Sequence, residues 1–360
     1  MLGQGGADRV AVNLINELSK RGLDVRLALM KREGEFLHDI PPALLVSSKN
    51  VKSLWGFLLP LRKIIKAENP DVVFSLDGGV NILLGILSIT SSRKCRYIVS
   101  ERNVLFPPGK NYLKYFVFNL IKFFTFRFVD GITVVSEGLK SEVAKTLLMK
   151  KSKIRVVYNP IVTPDLLKKA AEKVDHEWFY PDRKIPVVVH AGRFVYQKDH
   201  LTLLKAFAEV LDTITCRLFL LGDGPLLETC RGIVREMKIS EYVCFAGFNK
   251  NPFKYFASCD LFVLSSRHEG MPGVLIQAMA CGAPVISTNC KFGPQEIINA
   301  PGKNGLLVPV GDFKKLADAM IKVLSDHAFK AYIASNARSS ISRFEVSNSV
   351  NSYIEAILAQ

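Results

Sequence analysis

Ser265-Ser266-Arg267-His268-Glu269-Gly270-Met271-Pro272-Gly273 runs directly into Val274-Leu275-Ile276-Gln277-Ala278-Met279-Ala280-Cys281-Gly282. The apolar run Leu261 to Leu264 ahead of it reads as a buried strand, and the run behind it as a helix. Between them lies a loop carrying one carboxylate, one imidazole and two glycines. Backbone N–H groups at a helix start attract anions, and glycine lets a ligand approach that backbone. The loop therefore suits a phosphorylated ligand, with a carboxylate gripping something beside it. The C-terminal edge of a strand is also where open α/β sheets bind ligands. Packing alone does not call for His268 and Glu269 side by side.

Strand and helix patterns alternate on both sides of this loop. Downstream of Pro186 come strands at Val187 to His190, Arg217 to Leu221, Tyr242 to Phe245, and near Leu261 and Val285. Helices are expected over Asp199 to Leu211, with Asp199 as cap and Leu201, Leu204, Phe207, Ala208 and Leu211 on one face, then Leu226 to Met237 and Asp312 to Leu324. Upstream, a helix starts near Gly6 and continues through Val10 to Leu18. Strands follow at Asp24 to Leu29, Asp71 to Ser75, Arg96 to Ser100, Gly131 to Val135 and Ile154 to Tyr158. An apolar helix starts near Gly79, and another follows its cap, Ser136. Short buried runs between helices predict parallel sheets. The expected division is residues 1–162, a polar linker over 163–186, a second α/β domain over 187–335, and a terminal helical segment over 336–360. The first domain lacks an apolar opening strand, since only Met1-Leu2 precede Gly3-Gln4-Gly5-Gly6. A truncated start is the expectation drawn from that.

At 360 residues with 49% apolar content the chain has material for two cores. No apolar run is long enough to span a bilayer, and no secretory signal is visible. The seven cysteines have no paired spacing and read as buried free thiols. Charge is unevenly distributed. Residues 1–160 hold 25 Lys and Arg against 13 Asp and Glu, while residues 161–360 hold 23 against 20. A basic first half points to an anionic partner. No nucleic-acid recognition motif accompanies it, so nucleic acid is not the expected partner.

The loop resembles the signature of the retaining family-four glycosyltransferases, which have the GT-B fold. That signature reads Glu-Gly-Phe/Leu-Pro, with a second glutamate eight residues after the first. Here the first is Glu269, and the eighth position is Gln277, a departure. Gly5-Gly6-Ala7-Asp8-Arg9-Val10 is similar to the family's Gly-Gly-Ala-Glu-Arg-Val. Gly192-Arg193 followed by Gln197-Lys198-Asp199 resembles its phosphate-binding segment. Gly222-Asp223-Gly224-Pro225 and Asn304-Gly305-Leu306-Leu307-Val308 match later motifs. The resemblance spans nearly the whole chain. It implies an α/β GT-B architecture with two Rossmann-like domains facing each other across a cleft, and a last helix returning to the first domain.

Transfer from a nucleotide sugar builds negative charge on the leaving diphosphate, which needs fixed positive charge beside it. The resemblance assigns Arg193 and Lys198 to that charge and Glu269 to the donor sugar's hydroxyls; these three are the expected catalytic residues. Gly192, Gly270, Met271, Pro272 and Gly273 would bring backbone to sugar and phosphate. Gln277 falls where the family's second glutamate contacts the ribose; a glutamine still accepts through its carbonyl but loses charge-assisted strength. His268 is either a contact or a structural imidazole. Gly222, Asp223, Phe248 and Asn249 follow successive strands where a base could sit. Glu296 is either a contact or a first-turn acid. Gly5, Gly6, Glu101 and Arg102 are expected on the acceptor side, with a bland loop as the alternative for Glu101 and Arg102. No general base, cofactor or metal cluster is expected. The family's implied mechanism is front-side attack, with the departing phosphate taking the acceptor proton.

Residues 110–128 interleave eight aromatics, from Tyr112 to Phe128, with Lys110, Lys114, Lys122 and Arg127. This composition suits a segment lying on an anionic leaflet; an ordinary core helix is the alternative. The expected protein is a metal-independent transferase on the cytoplasmic face of the membrane, using a UDP-sugar to extend a lipid-linked or polysaccharide acceptor. A catalytically inactive saccharide binder and a nucleotide-sugar epimerase of the same fold are the rival readings.

Overall fold

Short apolar runs and amphipathic helices alternate along the chain, and the runs become parallel strands in the computed structural model. The structure describes residues 6–46, 51–90, 95–107 and 111–358. It divides into two units, Met1–Ile161 together with Phe344–Gln360, and Val162–Arg343.

The first unit contains helices α1 (Gly6–Lys20), α2 (Leu58–Glu68), α3 (Gly78–Thr90), α4 (Tyr112–Thr125) and α5 (Glu137–Thr146). Its strands are β1 (Leu27–Ala28), β2 (Leu45–Val46), β3 (Val72–Ser75), β4 (Arg96–Glu101), β5 (Gly131–Val134) and β6 (Ile154–Val156). Strands β3-β4-β5-β6 form one parallel sheet, and β1-β2 a separate parallel pair. Asp24 to Leu29 was expected as a strand, yet only Leu27–Ala28 pair. Asp24 and Arg26 lie exposed, and Arg26 bridges to Asp24 and Glu68 instead. The expectation of a missing first strand falls on residues 1–5, outside the described residues.

The second unit runs α6 (Pro164–Ala170), β7 (Val187–Ala191), α7 (His200–Leu211), β8 (Arg217–Leu221), α8 (Leu227–Glu236), β9 (Val243–Gly247), α9 (Phe253–Ser258) and β10 (Leu261–Leu264). It continues with α10 (Gly273–Ala280), β11 (Val285–Thr288), α11 (Pro294–Ile297), β12 (Leu306–Val308), α12 (Phe313–Ser325) and α13 (His327–Ser339). The sheet order is β12-β11-β10-β7-β8-β9, parallel throughout. Counted from β7 this is the doubly wound order 3-2-1-4-5-6. The chain winds outward from β7 to β9, then restarts at β10 on the other side of β7. The winding therefore reverses between the neighbouring strands β7 and β10, the switch point at which doubly wound sheets bind ligands.

One side of this sheet is covered by α7 and α12. Leu203, Leu204, Phe207, Met320 and Val323 are fully buried against Val188, Leu218, Leu220 and Val263. Burying such a side chain contributes about 1.5–3 kcal/mol. The buried face of α7 is rotated from the expected one. Leu201 is 40% exposed, and Leu203, Leu204, Phe207 and Val210 carry the contact.

Two expected boundaries move. Residues 163–186 are not a linker. Thr163 caps α6 by accepting from Leu166 N, and α6 packs on α9. Trp178 and Phe179 are buried edge-on against Phe219. Two large aromatics in a polar stretch are enough to bind it to the second unit. The boundary at 335/336 also falls inside α13, whose Ile333 and Ala337 are fully buried. The segment that joins the first unit begins at Phe344. Its helix α14 (Val346–Leu358) sets Val350 and Tyr353 among Leu14, Leu18 and Val157.

Candidate functional site

Sequence-distant residues meet in the second unit where β7, β8 and β10 end. The loop leaving β7 turns at Gly192 and Arg193, buries Phe194, and closes through a single 3-10 turn, Tyr196–Lys198. The turn after β8 packs on it: Gly192 N donates to Leu221 O at 2.9 Å, and Phe194 N to Asp223 O at 2.9 Å. Gly222 has φ +133°, and a Cβ there would stand 2.1 Å from Gly192 O. Glycine at 222 is thus demanded by backbone packing under the loop leaving β7. The Asp223 side chain is exposed and accepts from Gly224 N. Phe248 is partly exposed, while Asn249 folds its own turn by accepting from Asn251 N at 2.8 Å.

The loop leaving β10 is braced against the loop leaving β7. Arg267 N donates to Gln197 O at 2.8 Å, and Gln197 Nε2 to His268 O at 2.9 Å. Ser265 Oγ donates to Lys198 O at 2.9 Å. Arg267 pairs with Asp199 at 3.0 Å, and Lys198 Nζ stands 2.6 Å from Glu269 Oε1. Asp199 also caps α7, with its side chain accepting from Thr202 N. Its backbone is left-handed (φ 48°), a conformation aspartate tolerates better than most residues. Glu269 is 7% exposed, and it accepts further from Ser266 Oγ at 2.7 Å and Gln197 Nε2 at 3.4 Å. Its main chain is held by residues 291–292: Glu269 N donates to Lys291 O at 2.6 Å, and Phe292 N to Glu269 O at 2.9 Å.

The result is a carboxylate and an ammonium, both largely buried and in contact, at the switch point of the sheet. Arg193 is exposed and has no ion pair among the described residues, so its charge is available to an anion. Gly270, Met271 and Pro272 are buried, and Gly273 opens α10. No described residue accepts from the N–H groups of Gly270 or Met271. Gln277 lies half-buried one turn into α10. Glu296 sits in the first turn of the short helix α11, and its carbonyl accepts from Arg343.

Below the loop lie two imidazoles that the sequence did not single out. His190 is fully buried in β7, and its Nδ1 lies 2.8 Å from Val263 O. Burial lowers its pKa to about 4. His200 is stacked on Phe194 at 4.0 Å, and burial, with His190 and Lys198 nearby, lowers it to about 2. Both rings are neutral, so they add no charge beneath Lys198.

Residues 4–164 match the family described as Glycosyltransferase Family 4, and residues 185–326 match Glycosyl transferases group 1. The lipopolysaccharide core biosynthesis glycosyltransferase LpsE of Rhizobium meliloti is 29% identical over 92% of this chain and 88% of its own length. A Campylobacter jejuni N-acetylgalactosaminyltransferase, named for a diphospho-undecaprenol acceptor, is 25% identical over 96% and 93%. Anabaena HepE, solved in complex with UDP and glucose, superposes with a TM-score of 0.84 at 20% identity, covering 100% of this chain and 98% of that one. The chain is a glycosyltransferase of the GT-B fold, related to both of those families.

In this glycosyltransferase the residues expected on the acceptor side belong to the first unit. Gly6 is the exposed first residue of α1, and Gly5 lies outside the described residues. Glu101 ends β4 and is 3% exposed. Its carboxylate pairs with Lys122 Nζ at 2.9 Å and accepts from Asn81 Nδ2 at 3.0 Å. Arg102 donates from Nη2 to Asn159 Oδ1 at 2.7 Å. Both side chains are thereby engaged inside their own unit. Among the described residues no group of three or more His, Cys, Asp or Glu could hold a metal ion.

The transferase's aromatic helix α4 is turned inside out. Asn119, Lys122 and Thr125 point inward and are buried. Leu113, Phe116, Val117, Leu120 and Phe124 form a stripe at helical spacing and are 43–69% exposed. Tyr112 and Phe128 extend it at either end. Lys110 lies outside the described residues. Among the described residues no helix is long and apolar enough to cross a membrane. The seven cysteines are free thiols.

Proposed function

We propose that the chain is a retaining transferase that moves a sugar from a UDP-sugar to a lipid-linked or polysaccharide acceptor at a membrane surface. One observation carries the chemistry: Lys198 and Glu269, 71 residues apart, are locked together where β7 and β10 end. That places a cation and a carboxylate at the position where doubly wound sheets bind nucleotides. Arg193 and Lys198 would neutralise the diphosphate as the bond from the anomeric carbon to its oxygen breaks. Glu269 would accept a hydrogen bond from a sugar hydroxyl. The acceptor oxygen would bond to the anomeric carbon on the face the diphosphate leaves, and its proton would pass to a diphosphate oxygen. Anabaena HepE's complex with UDP and glucose supports the choice of UDP. The R. meliloti and C. jejuni relatives support a glycolipid or undecaprenyl-linked acceptor.

The exposed apolar stripe of α4 is the proposed membrane contact. An apolar face of this length on a surface helix, within a strongly basic half of the chain, suits an anionic leaflet. Its cationic flanks are in place, with Lys114 over Phe118 and Arg127 over Phe123.

Calorimetry against UDP, GDP, ADP and their sugars tests the donor reading, and UDP compounds should bind best. Glu269→Ala should abolish turnover while UDP binding persists; turnover that survives the substitution would overturn the assignment. The anomeric configuration of the product, read by NMR, should match that of the donor.

A further inference from the structure

We infer that Ser265 and Ser266 are paired positioning residues, each tying one charged group of the donor site to the end of β10, and that Ser266 thereby selects the Glu269 oxygen that meets the sugar. The inference rests on the donor-site reading above. Both serines have no exposed surface, so neither can touch a substrate. They are consecutive residues at a strand exit, where successive side chains point to opposite faces. Ser265 Oγ reaches across to the carbonyl of Lys198 at 2.9 Å, whereas Ser266 Oγ turns back to Glu269 Oε1 at 2.7 Å. The Ser266 carbonyl is fixed in turn by Thr288 Oγ1 at 2.6 Å, from the end of β11.

The two oxygens of Glu269 are not equivalent. Oε1 takes Lys198 Nζ at 2.6 Å and Ser266 Oγ at 2.7 Å. A carboxylate oxygen offers two lone-pair directions, so Oε1 is filled. Among the described residues Oε2 takes only Gln197 Nε2, at a long 3.4 Å. Oε2 is therefore the oxygen with room for a sugar hydroxyl. The backbone of Glu269 is pinned by residues 291–292, which leaves side-chain torsions as its freedom. The terminal carboxylate torsion is broad and roughly two-fold. Lys198 meets Oε1 as one donor and Gln197 holds Oε2 only at 3.4 Å, which leaves rotation about the Lys198 contact open. The Ser266 hydroxyl is a second donor to the same oxygen, from a different residue, and restricts that rotation.

The test compares kcat, KM and UDP affinity for native protein, Ser266→Ala, Ser266→Cys and Ser266→Thr. Donors are UDP-glucose, UDP-galactose and UDP-N-acetylglucosamine, with the 3-deoxy and 4-deoxy analogues of whichever one turns over. Native protein should prefer the parent sugar over the analogue that lacks the contacted hydroxyl. In Ser266→Ala that preference should collapse about tenfold and kcat should fall about 10- to 100-fold, as for loss of a hydrogen bond to a charged group. UDP affinity should stay within about twofold, and Ser266→Thr should restore the preference. Ser266→Cys, with a weak donor of similar volume, should fall between and serves if the alanine variant does not fold. An unchanged parent-to-deoxy ratio in Ser266→Ala or Ser266→Cys overturns the inference while leaving the donor reading intact. So does a loss of turnover matched by equal loss of UDP binding. A native chain that turns over none of these donors refutes the donor reading and takes the inference with it.

Discussion

Lys198→Met keeps the aliphatic stem of Lys198 and removes its ammonium group. Nζ stands 2.6 Å from Glu269 Oε1, with the two side chains 16% and 9% exposed. Removing one partner of a pair this buried costs about 3–5 kcal/mol, because the other charge is stranded. Glu269 keeps the Ser266 hydroxyl at 2.7 Å, and a hydrogen bond to a charged group is worth about 1.5–3 kcal/mol. The net loss should therefore fall at or just below the lower limit of the pair-removal range, about 2–3 kcal/mol. For a unit of this size each kcal/mol moves Tm by roughly 2–4 °C, so the drop should be about 4–12 °C. Adding Glu269→Gln removes the stranded charge. The double variant should recover most of the lost stability, with a coupling energy of about 1–2 kcal/mol. Turnover should behave in the opposite way. Each single variant should lose about 10²- to 10³-fold in kcat, and the double variant should regain none of it. Thermal and urea unfolding of the full chain, with turnover of a UDP-sugar, read both quantities. If the two stability losses simply add, or if Lys198→Met leaves Tm within a degree of native, the two groups are not a buried ion pair and the reasoning fails.

Other perturbations probe separate features. Gly222→Ala sets a Cβ 2.1 Å from the Gly192 carbonyl oxygen at a φ of +133°, so urea unfolding should show a loss above about 3 kcal/mol and UDP binding should vanish. His190 is held down to about 4 by burial, so the folded protein takes up fewer protons than the unfolded chain between there and about 6.5. Stability should be full above pH 6.5 and fall as pH drops towards 4, with His190 contributing about 3 kcal/mol and His200 adding to the fall in the same window, so the fall should be shallower by about the His190 share in His190→Phe. Lys122→Met should strand Glu101, whose side chain is 4% exposed, and lower stability by about 3–5 kcal/mol, whereas Lys122→Met with Glu101→Gln should recover most of it. Replacing Phe116, Leu120 and Phe124 by serine should reduce co-sedimentation with vesicles rich in phosphatidylglycerol while leaving Tm near native, since all three are exposed. Binding that ignores both these substitutions and the anionic lipid content refutes the membrane reading.

Much of the architecture was legible locally. Alternating apolar runs and helical spacing located β7 to β11, and Ser136 and Asp199 do cap their helices. Legibility ended where non-local packing took over. Trp178 and Phe179 lie in a stretch whose polar composition reads as a linker, and only Phe219 across the unit shows that they are core. The apolar residues of α4 read as easily as core as they do as surface. Only the buried Asn119 and Lys122 settle which side faces out.

The chain's own order of residues determined which chemical groups are present and on which loops they sit, because strand exits and helix starts are governed by short-range periodicity and backbone preference. It placed Arg193, Lys198 and Glu269 at strand ends without bringing any two together. Pairing is a matter of sheet order: β10 lies beside β7 although β8 and β9 intervene in the chain. That adjacency sets Lys198 against Glu269, Ser265 against the Lys198 carbonyl, and His190 against the Val263 carbonyl. These three contacts join residues more than sixty positions apart, and local sequence has no term for those.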